Sequence, residues 1–315
     1  MQPVVELFKE YLSVGDYAES TIDSKKRALK YWPYPELDVK AANLVHCEEY
    51  QKKLRQGDRV AKTVNLYVTH IRDFFNWAKR HKYVEDNPFD GLRDMTVVDR
   101  KMPSYRNDEL VRMLNVAGQR WKVLICFGLM GLREGEALNL VWNDLHFDEE
   151  YALITPKKDT ETTWAWRIKN RKMAYAPMPE NIVMPDIVVP FHAAIKSLRS
   201  ECPYLCVKPK YYEKQMALKK QGKMYFRKKL CPWGNFDRDF KALLKKACVS
   251  PKSFHDLRRT FAETMKAAGY DLKEIQTLMR HSSIETTARF YQNIEELKLV
   301  ASVNGTFSTL CLKNV

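Results

Sequence analysis

From Val60 to Lys82 the apolar side chains Val64, Val68, Ile71, Phe75 and Ala78 recur at three- and four-residue steps. This is the period of a helix that shows one face to a core. So long a stretch with a single period commits the first part of the chain to helix-on-helix packing. Phe8 with Leu12, and the stretch Thr21 to Trp32, carry the same signature in shorter form. Asn87-Pro88 is expected to close the long helix, because the residue before proline is pushed out of the helical region. Residues 1–95 therefore read as a helical domain. The stretch Gly91 to Ser104 has mixed charge, few apolar anchors and Pro103, which suits a connection between domains. We place the linker at 96–104, a second domain at 105–300 and a tail at 301–315.

The second domain mixes periods. Helices are expected at Asp108 to Ala117 and Arg120 to Met130, followed by a glycine-flanked turn at Gly131 to Gly135. Alternating β-rich sequence runs from Tyr151 to Ala176 and a proline-rich passage from Pro177 to Pro190, after which helical patterns continue past Tyr291. The fold class is mainly α, two domains, the second mixed α/β with a small antiparallel sheet.

Of the 315 residues 45% are hydrophobic, enough to bury a core in each part. The longest nearly unbroken apolar run, Val123 to Leu132, is short of the roughly 20 residues that span a bilayer, and Met1 to Leu12 carries acidic residues where a signal peptide would be basic. Neither membrane nor export is expected. The seven cysteines form no regular framework, which favours a reducing compartment, the cytoplasm. Cys202, Cys206 and Cys231 lack the second close pair or paired histidines of a zinc site, so no metal is expected.

A net charge of +14 favours a polyanionic partner, because each cation that neutralises a phosphate releases counterions. Residues 1–95 hold 16 Lys and Arg against 15 Asp and Glu, so most of the excess falls in the second part. There, Val207 to Leu230 has nine Lys or Arg against Glu213 alone, with Tyr211, Tyr212, Tyr225 and Phe226 interleaved. Such a mixture suits either a nucleic-acid surface, with Lys219, Lys220, Arg227 and Lys228 as contacts, or a solvated insertion. In the first domain Lys25, Lys26, Arg59, Lys62 and Asn65 are weaker candidates for contacts to double-stranded DNA.

The most informative stretch is Ser253-Phe-His255-Asp-Leu-Arg258-Arg-Thr, followed by Leu278-Met-Arg-His281-Ser-Ser-Ile-Glu-Thr-Thr-Ala-Arg-Phe-Tyr291. Ser253 and Asp256 resemble a capping box that opens a helix ending at Gly269, with Leu257, Phe261 and Met265 as its buried stripe. His255 and Arg258 share another face, near a helix N-terminus that favours anions. Asp271 and Glu274 form a second capping-box pattern, and His281 lies just beyond that helix.

This ordered set resembles the second box of the tyrosine recombinases, the phage integrase family. Gly131-Leu-Arg133-Glu-Gly-Glu136-Ala-Leu-Asn-Leu-Val-Trp-Asn-Asp144 is similar to the first box. The resemblance implies an active site of Arg133, His255, Arg258, His281 and the nucleophile Tyr291. A lysine in a β-hairpin turn completes the family's set. Lys169 is the choice here, with Lys172, Lys157 and Lys158 as rivals. Three positions depart from the common pattern: Phe290 stands where many relatives have the tyrosine, Arg280 where a glycine usually precedes the histidine, and Ala174 where an arginine often follows the turn.

By that resemblance the chain is expected to form a two-domain DNA clamp. It would cut and rejoin DNA through a covalent 3′-phosphotyrosyl intermediate, with no cofactor, and assemble as dimers and tetramers on DNA, with accessory DNA-bending proteins as possible partners. The two arginines would hold the non-bridging oxygens as planar forks. Tyr291, with an ordinary pKa near ~10, needs positive surroundings and a base such as His255. Lys169 would protonate the leaving 5′ oxygen, His281 would donate to the phosphate, and Glu136 would orient an arginine from behind. Two rival readings share many of these features: a type IB topoisomerase that relaxes supercoils, and a catalytically silent DNA-binding factor.

Overall fold

The computed structural model describes residues 2–98, 103–168, 173–222 and 233–280. Lys169, Lys172, Arg227, Lys228, His281, Tyr291 and the tail lie outside the described residues. The chain divides into two compact units, Met1–Arg100 and Lys101–Val315.

The first unit is built from α1 (Val4–Val14), α2 (Glu19–Lys30), α3 (Leu44–Arg55) and α4 (Ala61–Arg80). The periodic residues of α4, Val64, Val68, Ile71, Phe75 and Ala78, are all fully buried, and α1, α2 and α3 pack against that helix. Helix α3 buries only Cys47, Tyr50 and Leu54, a stripe too sparse to stand out in the sequence. Its start is set by Asn43, whose side chain accepts from the Val45 and His46 amides.

Helix α4 ends before Asn87-Pro88. Lys82 adopts a left-handed φ of 62°, and Tyr83 N–H donates to the Ala78 carbonyl at 2.9 Å, the six-to-one bond of a Schellman ending. Asn87 folds back on the helix instead. Its amide nitrogen donates to Arg72 O at 3.1 Å and to Asn76 Oδ1 at 2.8 Å.

In the second unit, α5 (Asn107–Val116) and α6 (Gln119–Leu129) precede the short α7 (Glu134–Leu138). The strands β1 (Leu145–His146), β2 (Tyr151–Ile154) and β3 (Ala174–Pro177) form an antiparallel sheet in that order, with Ile154 opposite Ala174 and Tyr151 opposite Pro177. The proline-rich passage holds a second antiparallel pair, β4 (Asn181–Met184) and β5 (Ile187–Pro190). Its prolines lie at the turn and at strand ends, where they interrupt no ladder bond. Helices α8 (Phe191–Lys196), α9 (Pro209–Lys220), α10 (Phe236–Lys246), α11 (His255–Ala267) and α12 (Leu272–Leu278) follow. Among the described residues no helix is long and apolar enough to cross a membrane.

Between β2 and β3 the chain makes an excursion that is anchored by Trp164. Its ring stacks on Tyr204 with centroids 3.9 Å apart, and its Nε1 donates to Asn139 Oδ1 at 2.9 Å. Helix α9 pins the same excursion, with Tyr212 OH donating to Thr162 O at 2.9 Å and Lys219 Nζ to Thr163 O at 2.8 Å.

Candidate active site

Two glycines bring the motif-bearing segments together. A Cβ on Gly128 would stand 2.9 Å from Leu257 Cβ, so α6 and α11 approach closely at that point. Gly131 leaves α6 at a φ of +81°, and a Cβ there would meet the Phe261 ring at 2.8 Å. A residue other than glycine would be both strained and crowded at this turn. The turn delivers Arg133 to the start of α7, while Arg258 lies one turn into α11, facing it.

At the start of α11, Asp256 accepts from both the amide (2.6 Å) and the hydroxyl (2.7 Å) of Ser253. The serine donates here, so the expected capping box is only half formed. The box at Asp271 and Glu274 is complete, with Glu274 N–H to Asp271 at 2.7 Å and Asp271 N–H to Glu274 at 2.8 Å.

The centre of the site is Glu136, almost fully buried. Its Oε1 accepts from Arg133 Nη1 at 2.6 Å; its Oε2 accepts from the Arg133 amide at 2.9 Å and from Arg280 Nη2 at 2.8 Å. Arg258 Nη1 lies 4.0 Å from the same carboxylate and donates to the Gly131 carbonyl. Arg280 Nη2 also donates to Gly131 O at 2.6 Å, and the Arg280 carbonyl accepts from Arg133 Nη2 at 3.1 Å. Three guanidinium groups thus surround one carboxylate, leaving an excess of positive charge at the loop that carries Arg133.

The electrostatics follow from this crowding. Burial by itself would raise the Glu136 carboxyl, but Arg280, Arg133, the Arg133 amide and Arg258 hold it below the usual carboxylate range. Burial, then the charges of Arg280 and Arg133, push the Arg258 guanidinium down. Arg258 is fully buried, and its Nε and Nη2 have no hydrogen-bond partner among the described residues. Two buried cationic donors without an acceptor are costly unless an anion completes them. His255 remains exposed at the helix start. Partial burial, then Arg258, Arg259 and Arg133, push its imidazole down to about 4, so the ring is neutral at physiological pH.

Arg280 is the residue that sequence reasoning noted only as a departure. Its φ of 53° lies in the left-handed region, which costs a residue with a side chain about 1–2 kcal/mol. Hydrogen bonds to a charged group contribute about 1.5–3 kcal/mol each, so its bonds to Glu136 and Gly131 outweigh the strain. The signal in the sequence was a long cation at a position where the backbone favours glycine.

The rival lysines separate. Lys157 is nearly buried against Asp144 at 2.7 Å and Thr155 Oγ1 at 2.7 Å, which commits it to holding the sheet. Lys158 is exposed. Several candidate DNA contacts need correction. Lys25 is buried, donating to Tyr11 OH at 2.7 Å and pairing with Asp73 at 3.4 Å, so its ammonium does not face solvent. Asn65 is occupied by the Met95 backbone, which it both donates to (2.8 Å) and accepts from (2.9 Å). Lys219 is engaged with Asp159 and the Thr163 carbonyl. Arg59 stacks on Tyr31 at 4.1 Å, half-buried, while Lys26, Lys62 and Lys220 are exposed.

Residues 104–297, more than half of the chain, match the Phage integrase family. A XerC-like tyrosine recombinase of Caldanaerobacter subterraneus is 25% identical over 84% of this chain and 71% of its own length. A tyrosine recombinase of Thermosipho africanus is 24% identical over 96% and 99%. Among solved structures, the Tn1549 transposon integrase in complex with a circular intermediate DNA matches with a TM-score of 0.70 at 17% identity, covering 94% of this chain and 100% of that one. A lambda integrase dimer bound to a core site matches with a TM-score of 0.66 at 14% identity, covering 92% and 95%. With the arginine cluster built from the two matching boxes and the family match running through both, the chain belongs to the phage integrase family and is a site-specific recombinase of the tyrosine type.

Proposed function

We propose that this recombinase cleaves one DNA strand by attack of Tyr291 Oη on a phosphate seated against Arg258 and Arg133. The observation that carries this reading is the pair of buried Arg258 donors, without a partner among the described residues, beside a second arginine. They offer a diester's non-bridging oxygens a charge-assisted, preorganised seat. The Tyr291–phosphorus bond forms as the bond to the 5′ oxygen breaks. The tyrosine proton passes to His255, neutral and therefore able to accept it. Lys169 protonates the departing oxygen and His281 donates to the phosphate. Attack by a 5′ hydroxyl reverses the step and reseals the strand. The diester's energy is kept in the phosphotyrosine, so the chemistry calls for neither ATP nor metal.

In this reading residues 1–95 are a helical DNA-binding domain, 96–104 a linker and 105–300 the strand-cleaving domain, with the 301–315 tail packing on a neighbouring copy. Exposed Lys26, Lys62 and Lys220, together with Arg227 and Lys228, contact the backbone of double-stranded DNA. The lambda integrase has been solved as a dimer on a core site and as a tetramer on a Holliday junction. These support assembly of this chain as dimers and tetramers on DNA; the cysteine pattern, which suits a reducing compartment, is what supports the cytoplasm. Relatives on mobile elements, the Tn1549 and ICEBs1 integrases, support service to such an element.

The test is a suicide duplex bearing the cognate site. The wild-type chain should form a covalent adduct that Tyr291→Phe cannot form. No adduct on a verified site overturns the reading in favour of a silent DNA-binding factor. Adduct and supercoil relaxation without exchange between two sites would assign a topoisomerase.

A further inference from the structure

Glu136 offers two oxygens, and their occupancy is unequal. Oε1 is taken by the Arg133 side chain, whereas Oε2 accepts from the Arg133 amide at 2.9 Å and faces two guanidinium groups, Arg280 at 2.8 Å and Arg258 at 4.0 Å. The nearer cation holds the oxygen. The Gly131 carbonyl, to which Arg258 Nη1 donates, also accepts from Arg280. Arg280 therefore sits on both acceptors towards which the buried Arg258 could turn. A buried guanidinium with two donors open among the described residues, beside a carboxylate oxygen that no other guanidinium holds, would close onto it, because ion pairs strengthen away from water.

We propose that Arg280 is a positioning residue of the cleavage site, occupying Glu136 Oε2 and so leaving the Arg258 Nε and Nη2 donors for the phosphate. The inference rests on the recombinase reading of the site and adds a device particular to this chain. The left-handed backbone at Arg280, with φ of 53°, would accept glycine without strain. An arginine held there against the preference of its backbone needs its side chain to act, and that side chain donates to Glu136, to the Gly131 carbonyl and to the adjacent Leu278 carbonyl. Its guanidinium also adds charge around Arg258, which favours an arriving anion.

The test is Arg280→Gly in the full chain, a change that this backbone tolerates, with Arg280→Lys as the conservative variant. Adduct formation on the suicide duplex, measured well below the variant's thermal midpoint so that the protein is folded, should fall about tenfold or more in Arg280→Gly, the effect expected of losing one charged partner, with DNA affinity close to wild type. Arg280→Lys, which keeps a cation against Glu136, should recover most of that rate. The decisive measurement is a double-mutant cycle with Glu136→Gln. Once the carboxylate is neutral it no longer captures Arg258, so the loss on removing Arg280 should shrink several-fold in that background. An equal loss in both backgrounds overturns the proposal, as does a wild-type rate in Arg280→Gly. Titration with inorganic phosphate, followed by the arginine side-chain resonances, should show weaker binding in Arg280→Gly than in wild type; equal affinity overturns the inference. If the wild-type chain forms no adduct at all, the recombinase reading fails, and the phosphate titration still decides the role of Arg280.

Discussion

Arg280 Nη2 donates to Glu136 Oε2 at 2.8 Å, joining residues 144 positions apart in the chain. The bond ties the segment that leads into His281 to the loop that carries Arg133. With the Arg133 amide and side chain on the same carboxylate, it makes Glu136 the common anchor of both sequence boxes.

Replacing Glu136 by Gln should therefore weaken the fold as well as the chemistry. Breaking a buried ion pair on one side costs about 3–5 kcal/mol, and urea denaturation of Glu136→Gln should show a loss of at least about 2 kcal/mol, since the amide keeps some hydrogen bonds. Because the native carboxyl titrates below its unfolded value, its stabilisation is complete above that unfolded value, about 4.3, and is lost as pH falls through the folded one. The variant should lack this part of the acid sensitivity. A loss below about 0.5 kcal/mol, the scale of ordinary surface substitutions, would show that the carboxylate does not anchor the loop.

The pH dependence of cleavage should report the depressed imidazole of His255. A histidine at its ordinary pKa would lose basicity as pH falls through about 6.5. With His255 pushed down to about 4 by partial burial and neighbouring arginines, adduct formation should hold down to about pH 5.5 and fall only below it. His255→Gln should slow the reaction and remove that acid limb. A limb centred at pH 6.5 in the wild type would contradict the assignment of His255 as the base. The linked stability has a fixed sign. The unfolded histidine binds its proton first, so stability declines as pH drops from about 6.5 towards the folded value.

Gly131→Ala combines a φ of +81° with a 2.8 Å approach to the Phe261 ring. It should lower stability by about 2 kcal/mol or more, seen as a fall in the thermal midpoint. It should also reduce cleavage, because the Gly131 carbonyl is an acceptor for both Arg258 and Arg280. An unchanged midpoint would mean that the turn relaxes without strain.

Lysines in the first unit should divide by burial. Lys26→Ala and Lys62→Ala, at exposed positions, should each reduce the slope of log affinity against log salt by about 1 while leaving stability within about 0.5 kcal/mol. Lys25→Ala should leave the slope unchanged and cost about 1–3 kcal/mol by removing the buried donor to Tyr11 OH, which keeps only its bond from Tyr17 among the described residues. Filter binding across a salt series, paired with denaturation, separates the two classes. A slope change for Lys25→Ala would place its ammonium on DNA.

Local pattern accounts for much of what could be read in advance. The five periodic residues of α4 are buried because period and burial are the same property of one helix face. The Asp271–Glu274 box closes from side chains three residues apart, needing nothing from elsewhere. Arg133, His255 and Arg258 stand out as candidates from their order and company alone, and α11 and the turn at Gly131 carry them as separate local units. The hairpin at 181–190 escaped notice because its two strands are short and its prolines look like breakers until their positions at the turn and strand ends are seen.

By itself, then, the sequence determined the helical first unit, the small sheet in the second, and the order of the candidate site residues, all set by neighbours within a few positions. Tertiary structure decided which cations are free to act. Lys25, Lys157 and Lys219 look like surface charges in the chain and are consumed by Asp73, Asp144 and Asp159, while Arg280, an apparent substitution for glycine, closes the core of the site on Glu136. The physical reason is that a charge's role depends on its partner and its access to water, and both are brought by segments far away in the sequence.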